Sequence, residues 1–226
     1  MTDYQFLSQT VLFKGIETSQ IPHLLPCLKA HTQAFAKDTT IYMAGQPVTH
    51  MGLVLSGSVH IELNDYWGNK TIFAHITAGD IFAETYTALP KQNLLIDVVA
   101  AQPTNILFLN TQQIMQTCQH ACIFHRKLIQ NLLQISAQKN IHMSMRMMHI
   151  ASKSIRSRLI SYLSAQATLH ASSKFQISFT RQQLADYLGV ERSALSNELS
   201  KMQKDGLILY QKNNFTLLTD IQNSTN

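Results

Sequence analysis

Residues 180–218 read TRQQLADYLGVERSALSNELSKMQKDGLILYQKNNFTLL, and the fold of the chain is read outward from this stretch. Thr180 and Gln183 stand three apart, the spacing of a capping box: the threonine oxygen accepts a free backbone N–H and the glutamine reaches back. The pattern predicts a short helix with Leu184, Ala185 and Leu188 on one face. Gly189 ends it, because glycine enters the left-handed turn region without steric cost. A second helix is expected from about Glu191, with Leu195, Leu199 and Met202 as its buried stripe, and Gly206 closes it. Two strands, 207–211 and 215–218, follow around a Lys212-Asn213-Asn214 turn. Helix, glycine turn, helix and hairpin in this order form a winged helix–turn–helix.

The other face of the second helix carries Arg192, Ser193, Ser196, Asn197 and Ser200. In a major groove, arginine pairs bidentately with guanine and asparagine with adenine. Arg192, Ser193, Ser196 and Asn197 are therefore the candidate base-contacting residues. Thr180, Arg181 and Gln182 open the first helix, where side chains and free backbone N–H groups favour phosphate; Ser200 joins them as a backbone contact. A small helical hairpin with a solvated polar face is the plain alternative. The combination of cap, turn, stripe and wing favours DNA binding over it.

The run TRQQLADYLGVERSALSNEL resembles the Crp/Fnr family of transcription regulators, and the resemblance covers nearly the whole chain. It implies an α+β protein: an N-terminal β jelly-roll like a cyclic-nucleotide-binding domain, a long dimerisation helix and a C-terminal winged helix–turn–helix. The corresponding segments are 1–119, 120–149 and 150–226, with a hinge at about 149–153. The resemblance also implies that Arg156 touches a phosphate. Family members usually carry arginine at the Arg192 position and often at the Asn197 position, so Asn197 departs from the pattern.

Length and charge agree with this division. The chain has 226 residues, enough for two modest domains that each bury a core. Residues 1–117 hold 5 Lys+Arg and 8 Asp+Glu, a net of −3, and residues 118–226 hold 13 and 5, a net of +8. The basic half is the half with the helix–turn–helix, as phosphate attraction requires. The opening MTDYQFLSQT lacks the layout of a signal peptide, and no apolar run reaches the length of a membrane span. Three cysteines without a secretory signal fit a reducing cytoplasm.

Short helical signals occupy 3–28, interrupted by Gly15, Pro22 and Pro26. Strands are expected at 31–35, 40–43, 52–55, 58–63, 70–76, 96–101 and 105–109, separated by Gly- and Asn-containing turns. In the family, the glycine turns at 55–59 and 79–82 belong to the nucleotide-binding barrel. The binding step that follows departs from the family. Nucleotide-binding members have Gly-Glu-Leu and then an arginine followed by Ser or Thr; here stand Ala83-Glu84-Thr85, with Leu94 and Leu95 at the later positions. A buried phosphate without a cation or donors is poorly paired, so cyclic AMP is not the expected effector. The candidate effector pocket comprises Phe82, Glu84, Thr85, Leu94, Leu95, Met143 and Ser144; the plain alternative makes Glu84 a structural remnant. A cyclic-nucleotide regulator with an altered pocket stays open, and no cofactor is expected.

A short helix at 110–116 precedes a long one at about 120–148, which has neither Pro nor Gly. At ~1.5 Å per residue its 29 residues span roughly 40 Å. Its apolar residues cover more than one stripe, one for the barrel and another for a second copy; a single core helix in a monomer is the alternative. A helix at 155–167 follows, capped by Ser154, then a strand at 175–179.

Cys118, Cys122 and His125 are weak metal or redox candidates, weighed against two small thiols and surface histidines at a helix junction. With Cys27 they make only three cysteines, so a four-cysteine iron–sulfur cluster is excluded within one chain. Met143, Met145, Met147 and Met148 beside His142 and His149 admit haem ligation, against the plainer reading of flexible gap-filling side chains. A haem-, metal- or redox-sensing regulator thus remains an alternative. A cupin-like metalloenzyme needs clustered His and Glu, whereas His50, His60 and His75 are scattered singly. The expected protein is no enzyme but a cytoplasmic, bacterial-type homodimer that binds double-stranded promoter DNA, with RNA polymerase as a further partner and no membrane association.

Overall fold

The computed structural model describes residues 3–67, 70–89, 91–116 and 123–218. The chain divides into two compact units, Met1–Ala137 and Gln138–Asn226. In the first, helices α1 (Tyr4–Gln9) and α2 (Ile21–Cys27) precede eight strands: β1 (His31–Phe35), β2 (Thr40–Tyr42), β3 (His50–Ser56), β4 (Ser58–Asn64), β5 (Lys70–Thr77), β6 (Ile81–Phe82), β7 (Asp97–Ala100) and β8 (Thr104–Asn110). They form two four-stranded sheets, ordered β1-β8-β3-β6 and β2-β7-β4-β5. The named pairings are antiparallel. Short helices α3 (Glu84–Ala88) and α4 (Thr111–Met115) complete the β region, and the long helix α5 spans Ile123–Ile150.

Alternation along the strands builds two apolar layers at once, since successive side chains point to opposite faces. On β3, β6 and β8, Val54, Phe82, Ile106 and Phe108 meet Val59, Ile61 and Val98 between the sheets. Their alternate neighbours Met51, Leu53, Ile81, Leu107 and Leu109 face a helical layer of Leu7, Phe13, Ile21, Leu24 and Leu128. The first half of α5 is fastened to this layer by a polar contact too: Asn131 Nδ2 donates to the carbonyls of Leu12 and Lys14 at 2.8 and 2.9 Å. Gly52 is required where β3 passes under Phe82, because a Cβ there would run into the ring.

Several boundaries differ from the sequence-based expectation. Pro22 and Pro26 do not interrupt the second helix, which runs through both. Pro22 sits in the first turn, where no N–H is needed, and Pro26 is one residue from the end. Ile81–Phe82 is a short strand beyond the glycine turn, and Glu84–Ala88 is a helix entered through Ala83 at φ 62°. The long helix extends to Ile150; its expected start at 120 lies outside the described residues.

The second unit contains the last turns of α5, then α6 (Ile155–Leu169), β9 (Lys174–Gln176), α7 (Arg181–Leu188), α8 (Arg192–Lys204), β10 (Ile208–Gln211) and β11 (Asn214–Leu217). A three-stranded sheet, β10-β11-β9, forms the wing. Its turn is two residues long, Lys212-Asn213, because Asn214 already pairs with Gln211. One core joins Leu159, Tyr162 and Leu163 of α6 to Leu184 and Leu188 of α7, Leu195, Leu199 and Met202 of α8, and Phe175, Ile208 and Phe215 of the wing.

Candidate nucleic-acid interface and effector pocket

The interface begins with two well-made helix ends. Gln183 N–H donates to Thr180 Oγ1 at 3.3 Å and Thr180 N–H donates to Gln183 Oε1 at 2.8 Å, so the capping box is complete. Gly189 takes φ 62° and ψ 47°, the left-handed conformation that turns α7 into α8. Burying Leu195, Leu199 and Met202 leaves Arg192, Ser193, Asn197, Ser200, Lys201 and Lys204 exposed on the opposite side of α8, with Ser196 half-buried. The side chains of Arg192, Ser193 and Asn197 engage no other described residue by hydrogen bond or ion pair. Their donors and acceptors point to solvent, as groups that read base edges must.

The expected backbone-contacting residues are more occupied. Arg181 donates to the Lys212 carbonyl at 3.2 Å and lies over the Tyr210 ring, 5.2 Å from its centroid. Burial holds its guanidinium below the ordinary value while the Tyr210 hydroxyl works in the other direction. Arg181 thereby pins the wing to the start of α7. It lines a cleft of about 440 Å³ together with Gln176, Thr180, Lys212, Asn213 and Asn214. In the sequence Gln176, Asn213 and Asn214 are legible only as strand and turn, because only the folded wing brings them beside Arg181. Gln182 donates to Asp186 Oδ1 at 2.8 Å, and Ser200 donates to the Ser196 carbonyl at 3.1 Å and meets the Tyr210 hydroxyl at 3.3 Å. Arg156 is paired with Glu198 at 2.6 Å and with Asp205 at 2.7 Å, which ties α6 to the middle and to the C-terminal cap of α8. The hydrogen bond to Glu198, then that to Asp205, raises its guanidinium above the ordinary value. A phosphate at Arg156 competes with two carboxylates already in place.

The carbonyls at the end of α7 are held by two arginines. Arg146 of α5 donates through Nε to Tyr187 O at 3.0 Å and through a terminal nitrogen to Asp186 O at 3.1 Å. Arg158 of α6 donates to Leu188 O at 2.9 Å and Gly189 O at 3.2 Å, and its Nε reaches Ser152 O at 2.8 Å. His149 Nδ1 lies 3.0 Å from the Tyr187 hydroxyl, and its ring sits against Tyr162. Sequence reading gave these contacts no role, since the partners are up to 41 residues apart.

The residues proposed for an effector pocket differ in exposure. Phe82 and Leu94 are buried in the first unit, Glu84 is buried at the start of α3, and Thr85 and Leu95 are exposed. Leu94 exchanges backbone hydrogen bonds with the turn at Gly45 and Gln46, which turns Leu95 outward. The space between the sheets holds a packed aromatic group: Phe108 lies 5.8 Å from Tyr42 and 6.1 Å from Phe35, and Tyr42 lies 6.1 Å from Phe82. Burial pushes the Tyr42 phenol up to about 12. Met143 and Ser144 belong to the second unit and are exposed on α5. Cys118 and Cys122 lie outside the described residues; His125 is buried, and its Nδ1 has no hydrogen-bond partner among them. No group of three or more His, Cys, Asp or Glu among the described residues is arranged to hold a metal ion. Nor is any described helix long and apolar enough to cross a membrane.

A β-sandwich of this topology followed by a long helix and a winged helix–turn–helix defines a DNA-binding transcription regulator. Two family profiles agree: that of the cyclic nucleotide-binding domain matches residues 32–121, and that of the Crp-like helix-turn-helix domain matches residues 157–222. The chain belongs to the Crp/Fnr family, whose members are regulators that bind double-stranded DNA and not enzymes. Among solved structures, CprK in complex with OCPA is similar with a TM-score of 0.62 at 14% identity, over 87% of this chain and 89% of that one. The c-di-GMP-responsive regulator CLP of Xanthomonas campestris gives 0.54 at 18% identity, over 90% of this chain and 100% of that one. The catabolite activator protein of Thermus thermophilus gives 0.50 at 18% identity, over 92% and 93%. No curated protein matches the chain by sequence.

Proposed function

We propose that this regulator acts as a cytoplasmic homodimer on promoter DNA, placing one α8 in each of two half-sites, and that cyclic AMP is not its effector. The reading rests above all on the exposed face of α8, where Arg192, Ser193 and Asn197 stand without partners beside a net charge of +8 in residues 118–226. Arg192 reads guanine and Asn197 adenine, with Ser193 and Ser196 between them. Thr180, Arg181, Gln182 and Ser200 seat the phosphates, the first two from the wing cleft. Contact with RNA polymerase would follow from its place on a promoter.

Dimerisation is supported by the surface of α5. Ile129, Leu133, Met143 and Met147 are exposed and fall, with Ser136 and Asn140, at alternating steps of four and three. That is the seam of a two-stranded coiled coil. Two copies joined this way present their recognition helices to half-sites about 34 Å apart, one DNA turn.

Two features argue against cyclic AMP. Leu94 and Leu95 offer neither a cation nor a hydroxyl to a phosphate, and the aromatic side chains of Tyr42, Phe82 and Phe108 fill the space between the sheets. A ligand that binds only the folded state raises the melting temperature. Cyclic AMP is expected to leave it unchanged at saturating concentration, and a rise would overturn this part of the reading. For DNA, selection from a random pool should yield an inverted repeat. Arg192→Ala should lose roughly 1–3 kcal/mol and relax the preference at one position of each half-site. Unchanged base discrimination in that variant would remove α8 from the groove.

A further inference from the structure

The last carbonyls of a helix have no intrahelical donor and carry the negative end of its dipole, so a cation placed there is held by both effects. In α7 the turn itself satisfies part of this need: Gly189 N–H bonds Asp186 O at 3.3 Å and Val190 N–H bonds Ala185 O at 3.0 Å. Arginines take the rest. Arg158 holds Leu188 O and Gly189 O from within α6. Arg146 holds Asp186 O and Tyr187 O from the long helix, and its guanidinium lies 5.8 Å from the centroid of the Tyr187 ring. One turn further along α5, His149 is 3% exposed and meets the Tyr187 hydroxyl. The turn between the two DNA-binding helices is thus clasped from behind by the long helix.

We propose that Arg146 and His149 are positioning residues that fix the direction of the recognition helix relative to the end of α5. The inference rests on the dimeric reading above. Once two α5 helices pair, this clasp sets the separation of the two α8 helices, and so the spacing of half-sites that the dimer accepts. The planar fork of arginine can hold two neighbouring carbonyls at once, which a lysine ammonium does less well. Arg158 differs in kind: it sits on α6 and joins the turn to the link at Ser152, whereas Arg146 and His149 join α5 itself to the end of α7.

The test compares operators that differ only in the spacer between half-sites. The native protein should prefer its selected spacing over one lengthened by two base pairs. In Arg146→Gln combined with His149→Phe, that preference should fall from on the order of tenfold or more to within about threefold, since a loosely held second site loses its effective concentration. Base preference inside each half-site should not change, which separates a lost orientation from a damaged fold. Arg146→Lys should fall between the two. Tyr187→Phe removes only the hydroxyl and should loosen spacing partially; it keeps the test decisive should the double variant fold poorly. Native spacing preference retained by folded variants overturns the inference alone. A native protein that binds only single half-sites overturns the dimeric reading and the inference with it.

Discussion

At the scale of single residues, two positions carry sharp consequences. Gly52 lies under the Phe82 ring with no room for a Cβ. Gly52→Ala should therefore destabilise the protein by about 1–3 kcal/mol, the usual cost of overpacking. Phe82→Leu in the same chain should recover part of it, which a pair of denaturant midpoints will reveal. His149 is buried against Tyr162 and Tyr187, with Arg146 on its own helix. Burial holds its imidazole below the ordinary 6.5. The unfolded chain therefore takes up a proton first as pH falls. Stability is complete above that value and declines as pH drops through it, levelling once the folded imidazole also protonates. His149→Phe should flatten this acid limb in melting curves taken from about pH 8 to about pH 5. The limb should not vanish, because burial and the neighbouring His31 and Lys29 depress His50 as well.

At the scale of elements, what was legible in the sequence was local. The cap at Thr180, the turn at Gly189 and the stripe of Leu195, Leu199 and Met202 are signals carried within one or two turns, and the structure realises each of them. Removing the cap should cost about 0.5–2 kcal/mol: Thr180→Ala leaves the Gln183 N–H without its partner, and the melting of the DNA-binding unit should drop accordingly. The strands were legible for the same reason, through alternation. The two-residue strand Ile81–Phe82 and the helix Glu84–Ala88 were not, since neither has a periodic pattern long enough to register and Ala83 enters the left-handed region against its own preference. The proposed binding residues divide along the same line. Arg192 and Asn197 follow from helix periodicity. The attachments of Arg156 to Glu198 and Asp205, and of Arg146 to Tyr187, join elements 41 to 49 residues apart, and no local spacing encodes them.

At the scale of the whole molecule, charge and apolar surface suit two different partners, DNA and the second copy proposed above. The positive charge of residues 118–226 is drawn to phosphate, so log affinity for DNA should fall linearly with log salt, by about 0.9 for each phosphate neutralised. In the proposed dimer the exposed seam of α5 faces a second copy. Leu133 and Met143 are 68% and 60% exposed, so a charge at either leaves the folded chain little disturbed. Buried in a coiled-coil seam, two glutamates would face each other without a counter-charge. Leu133→Glu and Met143→Glu should therefore yield a folded monomer by sedimentation, with an unchanged circular dichroism spectrum. That monomer should bind a two-half-site operator no better than a single half-site, and its salt slope should be about half that of the native protein, because half as many phosphates are neutralised per binding event. A dimer that survives both charges would place the second copy elsewhere on the surface, and the spacing of half-sites would then have to be set by another contact.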